Sequence, residues 1–217
     1  MNKSDWRNSS KVEYDEVVLN QLKNIEFNTN KNLIFIHLMG SHTDYKDRYP
    51  AKYNYFNGDG TNVDTYNNSI LYNDYVLSQI YDISKNFPNF KGMIYLSDHG
   101  DDAYRELGHN SANFTWDMVK IPFWMILSDD FIKNRKSEYN ALKSHINTPI
   151  TNDLIFDTLL GIIGLKNNQF YSEGNDFSSK EYNHSFEDLK TLHGQKSLNR
   201  LPDKNNINKV KNTGSDS

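Results

Sequence analysis

The chain has 217 residues, enough for one domain with a real core and marginal for two, and its 13% aromatic content is too high for a disordered chain. A formal net charge of −4 leaves no electrostatic footprint for nucleic acid, and the absence of cysteine excludes disulfides, thiolate metal sites and a cysteine nucleophile. There is no apolar run of membrane-spanning length and no signal-peptide core in the polar first ten residues, so the chain itself reads as soluble, with no signal or transmembrane segment.

Residues 1–12 read as a polar lead-in. Between 13 and 27, Val17, Leu19, Leu22 and Ile25 fall at helical spacing and predict an amphipathic helix. Leu33 to Met39, closed by Gly40, reads as a buried strand, with His37 inside it as a core histidine. Its exit, Gly40 to Tyr45, continues through Arg48-Tyr49-Pro50 into an ordered surface loop reaching about Asn62. Tyr66 to Phe87 is the strongest helix, with Ile70, Leu71, Asp74, Leu77, Ile80, Tyr81 and Ile83 on one face and Pro88 as its stop.

Residues 91–97 form the next strand, and Ile121 to Leu127 a third, ended by Ser128-Asp129-Asp130. A helix is expected over 129–144. Another is expected to start near Thr148-Pro149, a capping residue followed by proline, and to run to Gly164. Past about residue 185 the chain turns polar, and 186–217 reads as a peripheral or disordered tail. Strand, helix, strand, loop, strand, helix is an α/β rhythm, which implies a mostly parallel sheet with helices on both faces. Three strands are few for a doubly wound domain, so the fold reads as incomplete.

The chemistry concentrates where the second strand stops, at Ser97-Asp98-His99-Gly100. Ligands bind at the carboxyl ends of strands in open α/β sheets, and an Asp-His pair there offers one hard oxygen and one imidazole nitrogen to Zn²⁺ or a similar ion. Taken alone, the pair fits an acidic loop that happens to hold a histidine equally well. His109 follows ten residues later, and His42 lies in the loop leaving the first strand. For His42 by itself, a turn role and a catalytic one both stand open. Asp101 and Asp102 read as solvated loop acids, with a hydrogen bond to a metal-bound group as the other reading, and His145, His184 and His193 as non-functional.

Six blocks together carry a resemblance: His37-Leu-Met-Gly-Ser-His42, then Tyr45 with Arg48-Tyr49-Pro50, Tyr72-Asn-Asp74, Tyr95-Leu-Ser-Asp-His-Gly100, Ile121-Pro-Phe-Trp124 and Phe156-Asp-Thr-Leu-Leu-Gly161. In this order and spacing, over about residues 14 to 185, they resemble the sulfatase-like catalytic domain of bacterial phosphoethanolamine transferases, in the alkaline phosphatase superfamily.

The resemblance implies an alkaline phosphatase-like α/β fold and transfer of phosphoethanolamine from phosphatidylethanolamine to lipid A or the lipopolysaccharide core, through a Zn²⁺-activated threonine and a phosphoenzyme. It places Asp98 and His99 as zinc ligands, and His42 and His109 as catalytic histidines against the phosphoryl group, a second metal or the leaving oxygen. The Asp101 to Gly108 loop is shorter than in the better-known members. The family's threonine nucleophile, acidic zinc ligand and transmembrane segments lie upstream of the block matched by His42. Residues 13–185 are therefore expected to be the C-terminal part of the catalytic domain. The complete protein would sit in the inner membrane with that domain in the periplasm, and this chain alone would be inactive. Another superfamily hydrolase (a sulfatase, phosphodiesterase or phosphoglycerol transferase) and a catalytically dead sulfatase-like module are the alternative readings.

Overall fold

The computed structural model describes residues 13–29, 31–57 and 61–202. The expected lead-in, 1–12, and the end of the expected tail, 203–217, lie outside the described residues. The chain divides into two units, Met1–Phe90 with Asp102–Gly108, and Lys91–Asp101 with His109–Ser217.

The first unit is organised by helix α2, Asn62–Ser84, preceded by α1, Val17–Lys23. Thr61 and Asp64 start α2 with a reciprocal capping box, which satisfies two of the amide donors that every helix start leaves over. The buried face of α2 is Thr65, Asn68, Ser69, Tyr72, Asn73, Val76, Leu77 and Ile80, an unbroken i, i+3, i+4 series. The expected face was rotated from this one: Ile70 and Asp74 are exposed.

Polar Asn68 is wholly buried because the 49–56 segment saturates it. Its Oδ1 accepts the N–H groups of Tyr55 and Phe56, each at 2.9 Å, while Nδ2 donates to Tyr49 Oη at 3.2 Å and Asn54 Oδ1 at 2.9 Å. The Tyr53 ring meets Tyr72 edge-on at 4.9 Å. Burial pushes the Tyr72 phenol far above its ordinary value, against the lowering effect of Glu16 N–H donating to its oxygen.

No strand forms at Leu33 to Met39. A strand exists only as half of a ladder, and among the described residues the main chain from Leu33 to Leu38 makes no hydrogen bond. Leu33, Ile34, Phe35 and Met39 are exposed, as is His37, so the reading of His37 as a core histidine is also corrected. Its end is anchored where the Asp15 carboxylate accepts Met39 N–H at 2.9 Å and Gly40 N–H at 2.7 Å.

The loop Asp102–Gly108 has its own frame. Asp102 N–H donates to Gly108 O at 2.8 Å, and the Asp102 carboxylate, with 1% of its side chain exposed, takes Arg105 N–H at 3.1 Å and Arg105 Nη1 at 2.6 Å. Asp102 is a buried organiser of its loop and not a solvated acid.

In the second unit, β1, Gly92–Leu96, pairs antiparallel with β2, Phe123–Leu127, from Gly92↔Leu127 to Leu96↔Phe123. The mostly parallel sheet expected from the rhythm of the sequence is absent among the described residues; both two-stranded sheets are antiparallel. The reason is local. Parallel strands need a crossover, usually a helix, and only two short 3₁₀ turns, Ser111–Asn113 and Trp116–Val119, lie between β1 and β2.

The helix expected over 129–144 is two: α3, Asp129–Asn134, and α4, Lys136–Ser144, broken at Arg135 (φ −125°, ψ 48°). The helix expected from Thr148 begins later. Thr151 is extended, Asn152–Leu154 form a 3₁₀ turn, and α5 runs Ile155–Ile163. Pro149 is outside it and uses its carbonyl to accept the Tyr182 hydroxyl at 2.6 Å.

Leu154, Phe177, Tyr182, Leu189 and Leu198 form the core, with Trp116, Phe123, Leu142, Ile150 and Phe186 packed against it. Residues 186–202 of the expected tail are thus folded, and they include the short ladder of β3, Lys190–Thr191, with β4, Lys196–Ser197. Burying leucines 189 and 198 offsets the ordering of an otherwise polar segment. Among the described residues, no helix is long and apolar enough to cross a membrane.

Candidate metal centre

Pairing of β1 with β2 ends at Leu96, and the chain leaves the sheet through Ser97-Asp98-His99-Gly100-Asp101. Gly100 N–H donates to Met118 O at 2.8 Å. A Cβ at Gly100 would overlap the carbonyl oxygens of Asp117 and Lys120, so only glycine permits this approach. The loop is seated against the returning chain, and the side chains beside Gly100 project from a fixed base.

His99 stands between two acids. Its Nε2 is 3.9 Å from Asp98 Oδ1, and its Nδ1 is 3.8 Å from Asp101 Oδ1 and 3.0 Å from Gly100 O. With the proton on Nδ1, shared with the Gly100 carbonyl, Nε2 carries the lone pair a metal needs. The Asp98 carboxylate accepts the His99 N–H at 3.0 Å, and its side chain is 84% exposed.

Eight residues on from Asp101, His109 puts Nδ1 at 2.9 Å from Asp101 Oδ1, and its ring centroid lies 4.2 Å from that of His99. His99, Asp101 and His109 each offer a ligand atom, all within 4.8 Å of one another. Asp101 and His109 flank the two residues, Asp102 and Gly108, whose pairing closes the loop.

Of the four expected site residues, His99 and His109 meet at the end of β1, joined by Asp101, while Asp98 lies exposed beside His99. His42 belongs to the first unit, where it is exposed, accepts Arg48 Nε on its carbonyl at 3.1 Å and sets Nδ1 2.7 Å from Thr43 O. Sequence reasoning missed Asp101. Its side chain is 5% exposed, and it joins the two imidazoles instead of facing solvent. The usable signal was its place three residues past Asp98, before a loop that returns through Gly108 to His109.

The donor set fits a divalent cation. His99, Asp101 and His109 supply two borderline nitrogens and one hard oxygen, and a cation would offset the charge of the buried Asp101 carboxylate. Chemically, such a centre offsets charge building on a phosphoryl or sulfuryl group.

The family model described as Sulfatase matches residues 1–165. The chain is 34% identical over 142 residues to phosphoethanolamine transferase EptC of Escherichia coli strain K12, covering 57% of this chain and 24% of the relative. It is 29% identical over 167 residues to phosphoethanolamine transferase EptA of Helicobacter pylori, covering 69% and 31%. It is 24% identical over 177 residues to the Kdo(2)-lipid A phosphoethanolamine 7''-transferase of Salmonella typhimurium, covering 73% and 31%. The chain thus spans between a quarter and a third of the length of these relatives. No solved structure matches it.

Proposed function

Because the chain belongs to the sulfatase family, with its alkaline phosphatase-like α/β fold, we propose that it carries part of the catalytic centre of a zinc-dependent phosphoethanolamine transferase. In this reading the donor is phosphatidylethanolamine and the acceptor is lipid A or the lipopolysaccharide core. The observation that carries it is the convergence of His99, Asp101 and His109 beside Asp98 at the end of β1, in a chain whose relatives bear that activity in their names.

Asp98 and His99 would hold the metal, with His109 on the phosphoryl side. When bound, Zn²⁺ supplies Lewis-acid stabilisation of charge on the phosphoryl oxygens. The chain's own residues orient and move protons. Asp101 fixes the His109 ring by accepting from Nδ1, and in its doubly protonated form a ring so held would donate from Nε2 to the leaving oxygen. In this reading His42, whose carbonyl accepts Arg48 Nε, is also a catalytic histidine. The threonine nucleophile, the remaining acidic ligand and the inner-membrane anchor belong, in this reading, to a longer or split protein whose catalytic domain faces the periplasm. The fraction of the relatives' length that this chain spans supports that division of parts.

Two measurements test it. Calorimetric titration with Zn²⁺ should show binding by the chain that is lost in an Asp98→Ala, His99→Ala double variant. A chimera of Escherichia coli EptC carrying this chain in place of its matching segment should add phosphoethanolamine to lipopolysaccharide, read by mass spectrometry, and the double substitution should abolish that. Zn²⁺ binding indifferent to the double substitution, together with a chimera that hydrolyses sulfate esters or transfers nothing, would sink the proposal.

A further inference from the structure

A second contact holds the metal loop, and it comes from far along the chain. Asn152, in the 3₁₀ turn ahead of α5, donates from Nδ2 to Asp98 O at 2.7 Å, across 54 residues of sequence, with Ser97 O also near at 3.4 Å. The peptide plane joining Asp98 to His99 is thereby tied at both ends. Its carbonyl is held by Asn152, and its N–H is held by the Asp98 carboxylate at 3.0 Å. A peptide unit is rigid, so fixing both ends sets the directions in which the Asp98 and His99 side chains leave the backbone. The ladder of β1 stops at Leu96, two residues earlier, and among the described residues no strand neighbour does this for the loop.

We propose that Asn152 is a positioning residue for the metal centre, acting through the Asp98–His99 peptide. This rests on the reading of Asp98 and His99 as metal-binding. An amide at 152 suits the task because its nitrogen carries two hydrogens for two carbonyls, whereas a carboxylate there would set lone pairs against lone pairs. Asn152 is exposed, so truncating it removes the tether and leaves the core packing alone.

The test uses the whole chain as wild type, Asn152→Ala and Asn152→Asp, the last keeping the volume without the donor. Zn²⁺ affinity by calorimetry should fall roughly 10- to 100-fold in both variants, the range found when residues that orient metal ligands are removed. The visible spectrum of bound Co²⁺ should change, and hydrogen exchange at the His99 amide should quicken while the amides of β2 stay as they were. Thermal midpoints should stay within a few degrees of wild type. Variants that bind Zn²⁺ as tightly as wild type overturn this proposal and leave the metal reading intact. Weaker binding with unchanged exchange at His99 also overturns it, because affinity would then be lost by another route. A wild type that binds no Zn²⁺ overturns both.

Discussion

Asp101 and His109 face each other at 2.9 Å, Oδ1 to Nδ1, with the carboxylate almost wholly withdrawn from solvent. A buried carboxylate beside two imidazoles, one of them 4.2 Å from the other, is costly without a cation or a shared proton to offset its charge. Asp101 therefore matters to the centre whether it touches the ion or only aims His109.

Asp101→Asn keeps the shape and removes the charge. Zn²⁺ affinity should fall by about tenfold or more. The thermal midpoint of the metal-free protein should hold, since an amide oxygen can still accept from His109 Nδ1 while the cost of desolvating a carboxylate is gone. Calorimetry and a metal-free melting curve check the two halves separately. A metal-free midpoint that drops sharply would make Asp101 a structural residue instead.

Gly161 in α5 lies against the carboxylate of Asp176, and a Cβ there would overlap that group. The carboxylate cannot retreat. Tyr171 Oη donates to it at 2.7 Å, and Ser178 donates from N–H at 2.8 Å and from Oγ at 2.6 Å. Gly161→Ala should destabilise by about 2–4 kcal/mol in urea unfolding. In an Asp176→Ala background the same change should cost measurably less, because the space is then open. Equal costs in the two backgrounds would refute the overlap.

Asn68→Ala strips four hydrogen-bonding partners at once: Tyr55 and Phe56 N–H, Tyr49 Oη and Asn54 Oδ1. Buried groups left unpaired cost about 1–3 kcal/mol each when water cannot reach them, so a loss of roughly 3 kcal/mol is expected. Limited proteolysis should then cut first within 49–57. Wild-type resistance there would show that α2 does not depend on this amide.

Acid sensitivity should be partly traceable to Glu138. The Arg135 guanidinium, 2.8 Å away, holds its carboxyl down to about 2 from an ordinary value of 4.5. A carboxyl with a depressed folded-state value stabilises fully above 4.5 and loses that contribution as pH falls toward 2. Stability of wild type relative to Glu138→Gln, followed by urea unfolding, should therefore shrink by on the order of 2 kcal/mol over that window. A constant difference would mean the ion pair contributes nothing. Arg135 also donates to Gly161 O at 2.8 Å, so the pair steadies the end of α5 as well.

Much of this was legible along the chain. β1 and β2 fall within a residue or two of the apolar runs that predicted them, while α2 starts four residues before the expected Tyr66, at a Thr61–Asp64 cap that the reading passed over. That Asp98 and His99 follow directly on the end of β1 was legible because strand ends and turn residues are local properties. The buried face of α2 was not. Asn68 and Asn73 look like solvent residues until the 49–56 segment folds over Asn68 and supplies its partners. The run from Leu33 to Met39 shows the converse: its composition is that of a strand, and composition cannot provide a neighbouring strand.

By itself, then, the sequence determined the family, the apolar runs and the place of Asp98 and His99 at the end of β1. Tertiary structure alone decided the antiparallel pairing of β1 with β2, the burial of Asp101 between two imidazoles and the reach of Asn152 to the Asp98 carbonyl. The physical reason is range. Propensity, capping and turn chemistry act over a few residues, whereas strand direction, desolvation and a hydrogen bond spanning 54 positions exist only once distant parts of the chain have met.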